Sequence, residues 1–385
     1  MSSAHPPDER WIPVALGAID VRSSSDFALE AEVLVIPVVP GPALCLVGEG
    51  AALWRELVRD GPLLPNTVDA ARNTLLEDLR EAGLVVRTSE HPAAVTHLAA
   101  PSLSSSLHEL VYALVQRVAD GAGIRCFFIK GPALHLQGLR EREHSGDVDV
   151  WCDPARWDDL AEALEPWGWV RQPDPWRGTS IHHTATMTPT SWGCEIDVHR
   201  RLPGLTLDDR DAFAAVFART TLLRYAGVEV AVPEVATHAV LAAVHAVRPE
   251  IGAGRRSEGV SAVATALLSA TPDPASRARD VGAAAVLRGE LTAVTGALID
   301  VPEDAEPVDW EWRARPDRVR AYWTALQTLP LLTRVRVACR LVWPDDDVAL
   351  ASERRAGLPE TSPRAARRKR LVRALRTWMR DRLQG

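Results

Sequence analysis

The sequence predicts an α+β multi-domain protein: a small winged-helix-like N-terminal unit, an α/β core on a mixed sheet, and a C-terminal helical region. Three observations carry this. Strand-like and helix-like runs alternate between Ile124 and His199, an α/β pattern. After Leu207, stretches rich in Ala, Leu and Val take helical spacing almost throughout. Ahead of both, strands, two helices and a closing strand end in a stretch rich in Pro, Ser and Ala. The expected division is 11–88 for the N-terminal unit, 89–102 for a linker, 103–207 for the core, 208–350 for the helical region and 351–385 for a basic tail.

The elements follow in order. In the N-terminal unit, Phe27 to Pro37 and Ala43 to Val47 read as strands, broken by Gly48 and Gly50. Leu53, Trp54, Leu57 and Val58 take helical spacing, and Asp60-Gly61-Pro62 stops that helix. A second helix is expected from Thr67 to Ala82, with Thr67 as N-cap and Gly83 at the C′ position. Leu84 to Val86 closes the unit as a short strand. Leu107 to Ala119 is an amphipathic helix. In the core, Ile124 to Ile129 is apolar enough for a buried strand, and a helix follows over Ala133 to Leu139. Gly146 to Cys152 alternates as a strand; Asp153 and Pro154 are the expected N-cap and N1 of a helix reaching about Trp167. Gly193 to His199 is another alternating strand. Helices are then expected over Asp209–Arg219, Pro233–Val247, Ser257–Leu268 and Ala275–Leu298, with one or two more between Trp310 and Trp343.

Composition narrows the function classes. Of 385 residues, 46% are hydrophobic and 25% charged, which excludes a disordered or fibrous chain. No apolar run reaches the length of a membrane span, and Met1 to Arg10 holds no apolar signal segment. Five cysteines without a CxxC pair argue against a disulfide framework or zinc knuckle, and a cytoplasmic setting is expected. The net charge of −7 is unevenly spread: Glu353 to Gly385 holds eleven Lys or Arg against three Asp or Glu. A nucleic-acid partner is therefore not expected for the acidic body. The tail reads as a helix, with Leu371, Leu375, Trp378 and Leu383 near one face. Docking on the acidic body and contact with nucleic acid or anionic lipid both stay open for it. Only Lys130 and Lys369 of the 44 basic residues are lysine, so Lys130 stands out against a strong arginine bias.

The chemistry concentrates in three places. In Gly146-Asp-Val-Asp149, Asp147 and Asp149 project from one strand face. Paired carboxylates repel without a cation, and Mg²⁺ is the natural counter-charge because it takes carboxylate oxygens and still leaves room for phosphates. Lys130-Gly131 sits at a strand-to-helix junction, where backbone N–H groups and a lysine suit phosphate. Asp197, in Glu195-Ile-Asp-Val-His199, offers a third carboxylate from a neighbouring strand. His182-His183 reads as a loop or edge-strand pair. Trp151, Trp157, Trp167, Trp169, Trp176 and Trp192 read first as core, though a nucleotide base could stack on one of them.

Ile129-Lys-Gly131, Gly146-Asp-Val-Asp149 and Ile196-Asp-Val-His199, in that order and spacing, resemble the uncharacterised nucleotidyltransferase family of the polymerase-beta-like superfamily. The helix holding Thr237 to His245 resembles that family's helical continuation. The resemblance implies Asp147, Asp149 and Asp197 as metal ligands and catalytic carboxylates, for Mg²⁺ or Mn²⁺. It implies Lys130, Gly131, Gly146 and His199 as positions that bind a nucleoside triphosphate. Two departures stand out: Pro132 replaces the usual Ser after the glycine, and Glu143 replaces an arginine four residues before the first aspartate. In the N-terminal unit, Gly50 to Trp54, Asp60-Gly61 and Leu76 to Val85 resemble the PqqD-like peptide-recognition family, which implies a peptide precursor as partner. The implied function is transfer of a nucleoside monophosphate to an acceptor hydroxyl, on a ribosomally made peptide or its precursor. The alternative is a non-catalytic peptide-binding adaptor built on the same fold. A third option, an enzyme acting on RNA through the tail, requires RNA binding that falls with salt.

Overall fold

The computed structural model describes residues 9–24, 30–252, 258–301, 307–355, 358–359 and 361–384. The chain begins with β1 (Arg10–Pro13), β2 (Gly17–Asp20), β3 (Val33–Ile36), β4 (Leu44–Leu46), α1 (Gly48–Asp60), α2 (Ala70–Glu81) and β5 (Val85–Thr88). The two helices and closing strand stand where the pattern put them. Residues 27–29 of the first expected strand lie outside the described residues. The strands form two sheets: β1 pairs with β5, and β2, β3 and β4 pair in that order. The N-cap of α2 is Asp69, whose side chain accepts from Arg72 N, and not Thr67, which ends a 3-10 turn. Gly83 does occupy C′ with φ +71°, and Leu84 N closes onto Leu79 O.

The next elements are α3 (Ser106–Gly121), β6 (Cys126–Ile129), α4 (Gly131–Leu136), β7 (Asp147–Cys152), α5 (Trp157–Leu164), β8 (Trp169–Arg171), β9 (Thr184–Pro189) and β10 (Glu195–His199). Five of them form a mixed sheet in the order β6-β7-β10-β9-β8, in which β7 and β10 run parallel and the other pairs antiparallel. Strands β8 and β9 were not expected. Helix α5 starts three residues after Pro154, because Asp153 instead closes a turn by accepting from Ala155 N.

The remaining elements are α6 (Asp209–Phe217), β11 (Thr220–Tyr225), β12 (Val228–Pro233), α7 (Val235–Val247), α8 (Glu258–Ser269), α9 (Pro274–Asp280), α10 (Arg288–Thr295), α11 (Val308–Arg313), α12 (Arg318–Gln327), α13 (Leu331–Val342), α14 (Asp346–Arg355) and α15 (Pro363–Gln384). The β11–β12 hairpin fills the gap between the helices expected over Asp209–Arg219 and Pro233–Val247, in a region read as almost wholly helical. The single helix expected over 275–298 is split around Gly282 (φ +75°). No helix among the described residues is long and apolar enough to cross a membrane.

The segment expected as a linker is laced onto its neighbours. Val95 N donates to Pro13 O, and Asp20 N donates to Ala99 O. Buried Glu109, on α3, accepts from Ser102 N, Leu103 N and Ala226 N. Strand pleating lets one small sheet serve two cores. Ala18, Val33 and Val35 pack with Trp54 and Leu57, while Ile19, Leu34 and Ile36 pack against α3. A Cβ on Gly17 would stand 2.8 Å from Ala113 Cβ, so β2 lies directly on α3.

The central sheet is covered on both faces. Val148, Val150, Ile196 and Val198 point to α3 and α5, while Phe127, Ile129 and Trp151 point to the helices that follow Leu202. Asp147, Asp149, Asp197 and His199 alternate with those valines and isoleucine, and so lie on the second face. The basic tail docks within the chain. On α14, Glu353 is 1% exposed and pairs with Lys369 (3.7 Å) and Arg373 (2.5 Å). Arg367 pairs with Asp346 and stacks over Trp343.

Candidate active site

Parallel pairing of β7 with β10 puts Asp149 opposite Asp197, and Asp147 opposite Glu195. Ligand atoms of Asp149, Asp197 and His199 all lie within 4.8 Å of one another. Asp147 is outside that group, although it feels the charges of Asp149 and Asp197. Asp149 is only 3% exposed, and its Oδ1 accepts from Lys130 Nζ (2.7 Å) and His199 Nε2 (2.7 Å). Burial alone would raise the Asp149 carboxyl; the His199 hydrogen bond and the Lys130 charge outweigh it and hold the group well below the ordinary range. Asp147 goes the other way: partial burial, then the charges of Asp149 and Asp197, push it up. Neighbouring carboxylates driven apart in this way are a mark of functional sites.

Strand β9 holds the site from the other side. Thr186 Oγ1 donates to Asp197 Oδ1 (2.6 Å). Thr184 Oγ1 and His199 Nδ1 are 2.9 Å apart, so the hydroxyl is hydrogen-bonded to the ring nitrogen that faces away from Asp149.

Lys130 sits in a strained backbone, φ +61° and ψ −147°, which a non-glycine residue rarely adopts. Its N–H donates to Nε2 of buried His238 (2.8 Å), so His238 carries its proton on Nδ1 and gives it to Gln137 Oε1 (2.6 Å). Gln137 in turn bonds Pro233 O. Gly131 follows with φ +53°; a Cβ there would stand 2.6 Å from Tyr112 Oη. Gly146 is exposed, and a Cβ on it would meet nothing within 4 Å. Glu143 serves as a clasp, accepting from Ser104 N and Ser104 Oγ. Arg140 spans the carbonyls of Arg142, Glu143 and His144 just ahead of Asp147.

A cleft of about 370 Å³ opens at this cluster. Lys130, Asp197, His199, Thr184 and Thr186 form one wall; Arg248, Trp312, Arg313 and Tyr322 come from the helical region. Asp174, Trp176, Ile181, His182, His183 and Ile251 complete it, so the histidine pair belongs to the cleft lining. Trp176 is the aromatic from the sequence candidates that reaches the cleft; Trp151, Trp157, Trp167 and Trp169 are core. The sequence reading missed the threonines, the arginines and Tyr322. The Thr184-Ala-Thr-Met-Thr188 alternation was the one local signal, and it spoke only for the threonines.

One comparison bears on this geometry. A family model described as uncharacterised nucleotidyltransferase matches residues 94–258. The matched segment holds Lys130, Asp147, Asp149, Asp197, His199 and His238. It does not include the N-terminal unit. No curated protein matches the chain.

The buried histidines give a pH prediction. Burial pulls His238 down to about 3; burial, with Lys130 and Arg248, does the same for His245. An unfolded histidine titrates near 6.5. The unfolded chain therefore binds protons that the fold refuses between about 6.5 and 3. Stability is fully present above that window and falls as pH drops through it, by about 1 kcal/mol per histidine per pH unit. Thermal unfolding between pH 5 and 8 should show a plateau and then an acid decline. The decline should be shallower in His245→Gln; an unchanged slope would refute this origin.

Proposed function

We propose that the chain is a divalent-metal-dependent nucleotidyltransferase moving a nucleoside monophosphate from a nucleoside triphosphate to an acceptor hydroxyl. The observation that carries this is the cluster of Asp149, Asp197 and His199, in which Asp149 is buried while Asp197 and His199 line a cleft beside Lys130. Two carboxylates and an imidazole fit a divalent cation, and the nitrogen suits Mn²⁺ at least as well as Mg²⁺. Asp149, Asp197 and His199 would hold the ion, with Asp147 as the neighbouring carboxylate. A bound cation would neutralise the triphosphate and polarise its α-phosphate.

The chain's own residues divide the remaining work. His199 can engage through Nε2 by passing its proton to Nδ1, where the Thr184 hydroxyl can accept it. Lys130 swings from Asp149 toward phosphate. Asp197, fixed by Thr186 and open to the cleft, takes the acceptor's proton. The acceptor oxygen bonds to the α-phosphorus, the bond to the β-phosphate oxygen breaks, and pyrophosphate leaves. Trp176 and Tyr322 offer faces for the base.

The acceptor we propose is a peptide hydroxyl, on the resemblance of the N-terminal unit. Strand β4 is the edge of its sheet, with Cys45 and Val47 exposed, and such edges take added strands. Five free cysteines support a cytoplasmic setting.

Calorimetric titration of the four nucleoside triphosphates, with Mg²⁺ or Mn²⁺ and again with chelator, tests the reading. Binding that requires metal and vanishes in Asp149→Ala/Asp197→Ala supports it. No binding by folded wild type would move the function to the adaptor alternative.

A further inference from the structure

We propose that Arg313, on the helical wall of the cleft, anchors the β- and γ-phosphates of the nucleotide. This rests on the nucleotidyltransferase reading and adds a residue beyond the matched segment. Arg313 is 7% exposed and lines the cleft. Its guanidinium lies over the Trp312 ring at 4.9 Å, and its Nε has no hydrogen-bond partner. Among the described residues no carboxylate forms an ion pair with it. Its nearest acidic influence, Asp309, is already bonded to Arg201 at 2.8 Å. A buried cation without a counter-ion is costly. Burial draws its pKa down to about 10, so it stays charged at neutral pH.

The surroundings favour an anion here. Lys130 and Arg248 line the same cleft. Next to Arg313, burial and the charges of Arg313 and Arg201 keep His183 neutral. The junction at Lys130-Gly131 cannot serve the phosphates by itself: α4 is only six residues long, and Pro132 has no N–H. Asp197 and His199 of the acidic cluster thus share one cleft with the cationic wall, the charge pattern of a metal–triphosphate. A guanidinium holds phosphate through paired N–H donors, which a lysine cannot reproduce.

The test is calorimetric titration of the full chain with a nucleoside mono-, di- and triphosphate of one base, and with inorganic tripolyphosphate. Wild type, Arg313→Gln and Arg313→Lys are compared. In wild type, affinity should climb with each phosphate. Arg313→Gln should lose tenfold or more for the triphosphate and tripolyphosphate, with the monophosphate within twofold. An equal loss for all ligands, or none, overturns the proposal. If Arg313→Gln does not fold, Arg313→Lys decides: a threefold or larger loss confined to the polyphosphates supports the anchor, and wild-type affinity overturns it. Metal-dependent triphosphate binding that is equal in wild type and Arg313→Gln sinks the anchor and leaves the transferase standing. Tripolyphosphate binding lost with Arg313, when no nucleotide binds, overturns both the transferase reading and the nucleotide anchor and leaves Arg313 as part of a polyphosphate site.

Discussion

Asp149→Asn is expected to leave a folded protein that has lost nucleotide transfer by about 10³-fold or more, the scale of losing a charge that acts in the transition state. The substitution keeps shape and removes the charge that Lys130 and His199 both address. That charge is present at every working pH, because the Asp149 carboxyl is held well below the ordinary range. Removing one partner of a buried ion pair costs about 3–5 kcal/mol when the other stays buried. Lys130 keeps 22% of its side chain exposed, so it can turn to solvent and the cost should be smaller. Loss of the Asp149 charge also relieves Asp147, whose carboxyl should return toward its ordinary value. Steady-state kinetics and thermal unfolding of the same preparation separate the two effects. Activity within tenfold of wild type would remove Asp149 from the reaction. Asp147→Asn is the informative companion. A loss as large as that of Asp149→Asn would show that the Asp147 carboxylate joins the cluster when nucleotide binds; a smaller one would leave the work to Asp149, Asp197 and His199.

The candidate site was legible where its signal was local. Alternation in Gly146 to Cys152 and Glu195 to His199 fixed which side chains share a face, and parallel pairing then brought the two segments together. Lys130 stood out by composition, and the structure adds what no pattern carries: its strained backbone and the His238–Gln137 chain that holds it. Strand β9 escaped because Thr, Ala and Met give only a faint apolar alternation, even though Ala185 and Met187 are fully buried. The β11–β12 hairpin was hidden by its Ala- and Val-rich surroundings. Its turn, Ala226-Gly227, has φ of +49° and +80°, the signature of a tight hairpin. The hydrogen bonds of the expected linker were illegible for another reason. Pro, Ser and Ala mark irregular backbone, yet irregular backbone can still be hydrogen-bonded to strands and to a buried carboxylate, as Glu109 does here. Arg248, Arg313 and Tyr322 belong to the cleft only through tertiary packing. They lie far along the chain from the sheet strands they face, beyond any short-range period.

Gly131→Ala should destabilise the fold by about 3 kcal/mol, the sum of two separable causes. The first is conformational: φ of +53° costs an L-residue roughly 1–2 kcal/mol. The second is steric, since the new Cβ would stand 2.6 Å from Tyr112 Oη. Tyr112 cannot yield. It is fully buried on α3, with Phe128 and Tyr225 each at 4.9 Å between ring centroids. Its hydroxyl has no hydrogen-bond partner, so Tyr112→Phe alone should be close to neutral or slightly stabilising. In the double variant the clash with Tyr112 disappears, while the backbone cost and the tight approach to Ser145 Oγ (3.2 Å) remain. Denaturant unfolding of the four proteins should therefore give a coupling of about 1–2 kcal/mol in favour of the double variant. A Gly131→Ala protein as stable as wild type would contradict both causes at once. The same substitution should also reach the chemistry. Displacing Gly131 pulls on Lys130, whose N–H is held by His238 and whose ammonium sits on Asp149. Activity should then fall further than stability at the assay temperature explains, and Tyr112→Phe should restore part of both.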